Sequence, residues 1–246
     1  WDVQAGLGLE AGTRDLIAKE VEYRAISNYV SDGMTILDAG CGNGLTAIRL
    51  AQQFKVDIVG VDFSEEMINA AMAYLPKENK VIFQVADITN LPFRPGTFDL
   101  IYTERAIINL PTWEVQKSVI QKLITYLKPS GLYLMCECSQ DRLDRINEVR
   151  EQIGLPKIVS PWHNRYIRDK EILSIRNLAI VEDYSSTYYF LSRIVNAYLA
   201  NLEQKELDYN SPVNQLALKL SPFIPEFGQG RLWLFFKKQV SNLTFS

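Results

Sequence analysis

The run Ile36-Leu37-Asp38-Ala39-Gly40-Cys41-Gly42-Asn43-Gly44 carries an apolar segment into three alternating glycines. Glycines so placed let a strand turn sharply into a helix and let a ligand approach the backbone and the helix N-terminus. A tight structural turn explains one such glycine, whereas three in alternation point to a ligand cradle. Asp38 sharpens the reading: beside this turn the pyrophosphate of a dinucleotide would meet like charge, and a cationic amine would be attracted. The run Ile58-Val59-Gly60-Val61-Asp62-Phe63 ends in a carboxylate about twenty residues further on, the spacing at which an acid accepts hydrogen bonds from both hydroxyls of a ribose. Asp62 could equally complement the dipole of a following helix, and Phe63 either lies against a purine or packs in the core. Gln84-Val85-Ala86-Asp87-Ile88 repeats the pattern, with Asp87 suited to an exocyclic amine and Ile88 to a ring face. Each acid alone is an ordinary strand end. Three in succession match the amine, sugar and base of one extended molecule, because open α/β sheets bind ligands along that edge.

The elements that must position these acids follow from the hydrophobic pattern. From Met34 to Glu137, β-branched runs alternate with amphipathic stretches, as in a parallel sheet flanked by helices. Strands are expected at Thr35–Ala39, Asp57–Asp62, Val81–Ala86, Phe98–Thr103 and Leu132–Glu137, and helices at Thr13–Val30, Leu45–Gln53, Ser64–Tyr74 and Trp113–Leu127. Ser64 reads as an N-cap with Met67 just inside, and Lys128-Pro129-Ser130-Gly131 reads as a turn. Beyond Gln140 the pattern loosens into a charged helix near Asp141–Gln152, a stretch Pro156–Tyr166 containing proline and aromatics, a helix around Asp169–Asn177 and a strand Ala179–Thr187. A largely helical Tyr188–Pro222 and a last strand Arg231–Lys238 follow. The whole is expected to be one domain, 1–246, with a core at about 30–140, 178–187 and 229–239 and cap segments at about 154–177 and 188–225.

With 246 residues and 47% hydrophobic content the chain can bury one substantial core. A net charge of −3, from 26 basic and 29 acidic side chains, provides no global field for a polyanion, so no nucleic-acid partner is expected. Cys41, Cys136 and Cys138 are odd in number and fall in buried stretches, which suits a reducing, cytoplasmic location. No apolar run reaches membrane-span length, the opening Trp1-Asp2-Val3 has no leader pattern, and the lack of an initiator methionine suggests trimming or excision from a longer polypeptide.

Taken together, Leu37-Asp38-Ala39-Gly40-Cys41-Gly42-Asn43-Gly44, Val61-Asp62, Ala86-Asp87-Ile88 with Leu91-Pro92-Phe93, Phe98-Asp99-Leu100-Ile101 and Leu127-Lys128-Pro129-Ser130-Gly131 resemble the motif series of class I S-adenosylmethionine-dependent methyltransferases. The resemblance covers Met34 to Glu137 closely and the flanks loosely. It implies a three-layer Rossmann-like α/β fold, whose seven-stranded sheet is mostly parallel with an antiparallel last strand and carries a small helical cap. It implies S-adenosylmethionine as cofactor and S-adenosylhomocysteine as product, no metal, and a small-molecule acceptor. The turn with Gly40 and Gly42 would hold the methionine part, Asp62 the ribose, and Asp87 with Ile88 the adenine. Asp38, Phe63, Met67, Thr103 and Glu104 join the cofactor-facing set. Arg14, in Gly12-Thr13-Arg14-Asp15, either pairs with the cofactor carboxylate or faces solvent. Ser130 departs from the glycine that the family often has.

On the acceptor side, methyl transfer is an in-line displacement in which alignment and water exclusion do most of the work. A hydroxyl or ammonium acceptor must also lose a proton. His163, the one histidine, is a candidate base, although a lone histidine is commonly structural. Glu104 and Arg105 would orient an acceptor amine and an acceptor anion, or pair with each other. An Asn-Pro-Pro-Tyr-like run is absent, which argues against DNA adenine as acceptor. Tyr184, Tyr188, Tyr189, Phe190 and Tyr198 either pack a core or lid a pocket for a ring-bearing acceptor. A lipid- or quinone-directed C-methyltransferase, a noncatalytic cofactor-binding module and a nicotinamide oxidoreductase stay open as alternatives.

Overall fold

The computed structural model describes residues 13–76, 80–220 and 223–237. Its strands are β1 (Thr35–Ala39), β2 (Asp57–Asp62), β3 (Val81–Val85), β4 (Phe98–Glu104), β5 (Leu127–Cys138), β6 (Leu178–Glu182) and β7 (Gly230–Phe236). Its helices are α1 (Leu16–Ser27), α2 (Leu45–Gln53), α3 (Glu65–Tyr74), α4 (Trp113–Tyr126), α5 (Gln140–Gln152), α6 (Asp169–Ile172), α7 (Ser186–Phe190), α8 (Ala197–Leu202) and α9 (Pro212–Lys219). The sheet runs β3-β2-β1-β4-β5-β7-β6, parallel except for β7, which is antiparallel to both neighbours. The expected seven strands and reversed last strand are therefore present.

Successive residues of a strand face opposite sides, and here both sides are apolar. Leu37, Ile101, Tyr133 and Phe235 pack with α4 on one face, while Ile36, Leu100, Leu134 and Leu232 pack with α1 and α2 on the other. That two-sided burial explains why the central strands read as continuous apolar runs. A third cluster joins Ile17 and Ala18 of α1 to Ile146, Tyr188, Tyr189, Ile194 and Ala217. It fastens a cap formed by α7, a π-helical turn Leu191–Asn196, α8 and α9.

Local polar chemistry moves several boundaries from their expected places. Helix α1 starts at Leu16 because Asp15 is its N-cap, accepting from the Ala18 amide at 2.9 Å. The strand expected over Ala179–Thr187 stops at Glu182. Ser185 bonds the Gly230 carbonyl at 2.6 Å and Asp183 accepts from the Glu226 amide at 3.1 Å, which draws the backbone out of the ladder and into α7. Lys128–Gly131 continues β5 across a register shift instead of forming a separate turn, with Ser130 at φ 67, in the region that favours glycine. The helix expected over Asp169–Asn177 shortens to α6, and Pro222 and Lys238 lie outside the described residues. Among the described residues no helix is long and apolar enough to cross a membrane.

Candidate active site

Chain order reverses between β1 and β4, so the crevice beyond their carboxyl ends is the topological switch point at which open α/β sheets place ligands. A cavity of about 1020 Å³ opens there. The glycine turn forms its floor: the Gly40 and Cys41 amides both donate to the Val61 carbonyl, at 2.8 and 2.9 Å, and Gly40, Gly42 and Gly44 have φ of 88, 51 and 71. A Cβ on Gly40 would stand 2.4 Å from the Cβ of Ala106. Gly40→Ala is therefore expected to lose about 2–4 kcal/mol of stability in urea unfolding, from a left-handed non-glycine residue and an overpacked contact.

Asp38 ends β1 buried and accepts from the Tyr102 hydroxyl at 2.6 Å. Burial pushes its carboxyl well above the usual range; the Tyr102 bond opposes this, and the negative neighbours Glu104 and Asp62 add to it. Such a site suits a cationic group and repels a phosphate. Asp62 accepts from the Gly42 amide at 2.9 Å and from the Ser64 amide at 3.0 Å, joining the turn to the start of α3. Its role at the helix start and its place on the cavity wall coexist, because a carboxylate has about four lone-pair sites. Phe63 is 60% exposed and Met67 is buried, and both line the cavity. Asp87 accepts from the Thr89 amide at 2.8 Å and lines the far end with Ile88.

Two residues of the expected set are not brought to the cavity. Thr103 is fully buried with its hydroxyl 3.0 Å from that of Tyr133, because alternation along β4 sends its neighbour Glu104 to the cavity instead. Arg14 is exposed outside the lining, since the capping turn directs the next residue, Asp15, inward. Asp15 accepts from Tyr188 at 2.5 Å and from Arg193 at 2.6 Å, tying α1 to the cap.

Glu104 accepts from the Thr46 hydroxyl at 2.7 Å and lies 3.7 Å from Arg105, so the ion pair weighed from the sequence is present. Arg105 has φ 54 and also faces Glu22 of α1 at 3.3 Å. Glu137, buried at the end of β5, accepts from the amides of Ala106, Ile107 and Ile108 at 3.1, 3.0 and 3.3 Å. It thereby sets the loop that meets Gly40. Segment 165–167 is pinned to the sheet edge by the bonds from Arg165 to Ile108 (2.7 Å) and from Ile167 to Cys138 (3.0 Å). This anchoring brings Tyr166 and the exposed pair Trp162 and His163 to the cavity wall, with His163 edge-on to Trp162 at 5.4 Å.

Lys19, Tyr166 and Tyr209 also line the cavity and were not singled out as site residues from the sequence. Asp15, Lys19 and Glu22 recur at helical spacing on one face of α1, next to the buried Ile26. A polar stripe continuing an apolar face was the available signal. The aromatic run meets both expectations: Tyr188 and Tyr189 are core residues, and Tyr189 also faces the cavity.

Residues 36–131 match a family model described as a methyltransferase domain. The chain is 27% identical to the sterol 24-C-methyltransferase of Candida albicans over 73% of this chain and 51% of that protein. It is 25% identical to the phosphoethanolamine N-methyltransferase of Plasmodium falciparum over 69% of this chain and 64% of that protein. The matched region thus spans between about half and two thirds of these relatives' length. Among solved structures, geranyl diphosphate methyltransferase in complex with GPP and sinefungin superposes with TM-score 0.58 at 16% identity, covering 89% of this chain and 78% of that one.

Proposed function

We propose that this chain, whose residues 36–131 match a family model described as a methyltransferase domain, uses S-adenosylmethionine to methylate an oxygen or nitrogen of a small-molecule acceptor held between the sheet edge and the cap. One observation carries this reading: Asp38, Asp62 and Asp87 follow one another along a single cavity whose remaining wall is supplied by cap side chains. S-adenosylmethionine brings an activated methyl group. Asp38 takes its amine, Asp62 its ribose diol, and Asp87 with Ile88 its adenine, over the floor of Gly40 and Gly42. Phe63 and Met67 flank the base and sugar. A nicotinamide dinucleotide fits poorly, since its pyrophosphate would face Asp38, Asp62 and Glu104 together.

The acceptor side carries the polar groups of Glu104, Arg105, Tyr166, Arg193 and Gln229 beside the apolar Ile108, Ile158, Val159 and Trp162; the polar groups favour a hydroxyl- or amine-bearing acceptor over the carbon of a wholly apolar lipid. His163 stays a candidate base from its place at the rim. Calorimetric titration with S-adenosylhomocysteine, then turnover against a panel of phenols, amines and hydroxy acids, tests the reading. Absence of binding ends it, and turnover only with lipid vesicles transfers it to a lipid-directed enzyme. Tight binding with transfer to no member of a broad panel favours a noncatalytic cofactor-binding role.

A further inference from the structure

Beyond the three acids assigned to the cofactor, the cavity wall carries Lys19 of α1, Arg105 just after β4 and Arg193 of the π-helical turn, and among the described residues Glu104 is the one carboxylate set against them. Arg105 is the clearest sign that a ligand group belongs there. It reaches Glu22 and Glu104 only at ion-pair distances of 3.3 and 3.7 Å, and its guanidinium donates no hydrogen bond among the described residues. Neither acid meets it in the short, bidentate form that an arginine–carboxylate pair ordinarily takes. Its Nε is buried without a hydrogen-bond partner, a condition that native structures seldom tolerate without a ligand or solvent acceptor. Arg105 also sits at φ 54, and strained conformations of this kind concentrate at ligand clamps.

Arg193 is held in place by Nη2 bonding Asp15 at 2.6 Å and Nη1 bonding Ser192 at 2.7 Å, with its guanidinium 5.1 and 4.8 Å from the ring centres of Tyr189 and Tyr209. Of five N–H donors these bonds use two. Tyr189 and Tyr209 line the same cavity, and their hydroxyls make no hydrogen bond among the described residues. The wall therefore offers more donors than the protein supplies acceptors for.

We propose that the acceptor is an anion, whose carboxylate or phosphate group is seated by Arg105 and Arg193, with Lys19 adding charge and the Tyr189 and Tyr209 hydroxyls adding hydrogen bonds. This inference rests on the methyltransferase reading and names its substrate class: a hydroxy or amino compound that carries an acidic group. The oxygens of either group accept several hydrogen bonds at once, and planar guanidiniums match both of them. The nearby acids do not fill the place. Asp15 and Glu22 are 2% and 3% exposed and lie behind the lining, while Glu104 takes the Thr46 hydroxyl at 2.7 Å. Burial and then the Arg105 charge hold the Lys19 ammonium below its usual range, and an anion beside both cations reverses the second influence. Glu104, on the same wall, suits the acceptor's hydroxyl or ammonium, so the two ends of one molecule meet opposite charges.

Matched small probes test the site on the full chain: benzoate against benzamide and phenyl phosphate against phenol, each titrated calorimetrically with and without saturating S-adenosylhomocysteine. At least one anion is expected to bind about tenfold or more tighter than its neutral partner, the effect of one hydrogen bond to a charged group. Tighter benzoate identifies a carboxylate acceptor, and tighter phenyl phosphate a phosphorylated one. Arg105→Gln is expected to remove the preference and to leave the affinity for S-adenosylhomocysteine within about twofold of wild type. Tyr209→Phe keeps the ring against Arg193, so it serves if Arg105→Gln does not fold; it should weaken the anion about tenfold and leave the neutral partner unchanged. No binding of either anion, equal affinity for anions and neutral partners, or a preference unchanged in both variants overturns the proposal. Failure of the wild type to bind S-adenosylhomocysteine while the preference for anions persists counts against the methyltransferase reading alone.

Discussion

Asp62→Ala is expected to weaken S-adenosylhomocysteine binding about 100-fold or more in calorimetry, the effect of losing two hydrogen bonds to a charged group at about 1.5 kcal/mol each. The carboxylate joins the Gly42 amide at 2.9 Å to the Ser64 amide at 3.0 Å, so its removal also releases the glycine turn from α3. Asp62→Asn separates the two effects. It retains one acceptor oxygen but turns an amide donor toward one of those N–H groups, so the turn is pushed apart although the side chain keeps its size. Burial holds the Asp62 carboxyl above its usual value, with the bonds from Ser64 and Gly42 opposing. A ribose hydroxyl donating to it would add to that opposition. A double-mutant comparison makes the assignment specific: a ligand lacking the ribose hydroxyls should bind more weakly to the wild type and no more weakly still to Asp62→Ala. Equal loss on both proteins would mean that Asp62 acts on the turn alone.

What the sequence made legible divides along the same physical line. In residues 35–104 the decisive forces are local or periodic. β-Branched runs buried on both faces, glycines at positive φ and acids at strand tips all leave a pattern within a few residues, and β1, β2 and α2 fall on their expected bounds. In residues 178–230 the deciding contacts are long-range and polar. Ser185 with Gly230 and Asp183 with Glu226 end β6 early, and Asp15 with Arg193 sets the π-helical turn against α1. None of these pairs is visible until the fold brings them together. The same holds in the site: Asp38, Asp62 and Asp87 were readable from their strands, whereas Glu22 of α1 meets Arg105, on a different element, only in the fold.

Glu137→Ala is expected to lower stability by about 3 kcal/mol in urea unfolding, since two buried amide donors and one part-buried one lose their acceptor at about 1 kcal/mol each. Those amides belong to Ala106, Ile107 and Ile108, and Ala106 is the residue whose Cβ closes on Gly40. The substitution should therefore weaken cofactor binding as well, through a residue that touches no ligand. Glu137→Gln recovers part of the loss, because one amide oxygen replaces two carboxyl oxygens and the new N–H₂ group faces the same donors. The pH dependence gives a second, independent readout. Burial outweighs the hydrogen bonds to Ile107, Ile108, Ala106 and Thr103 and raises the Glu137 carboxyl from 4.5 to about 7. A folded-state value above the unfolded one means that the fold favours the protonated acid. The stability this contributes is complete below about 4.5 and is lost as the pH rises through 7. Urea midpoints of the wild type should accordingly fall between pH 5 and 8, and the fall should be smaller in Glu137→Ala, where Glu22, Asp38, Asp62 and Asp183, also raised by burial, still titrate in the same sense. An identical slope in both proteins would show that Glu137 stays ionised throughout, held as an anion by its backbone donors.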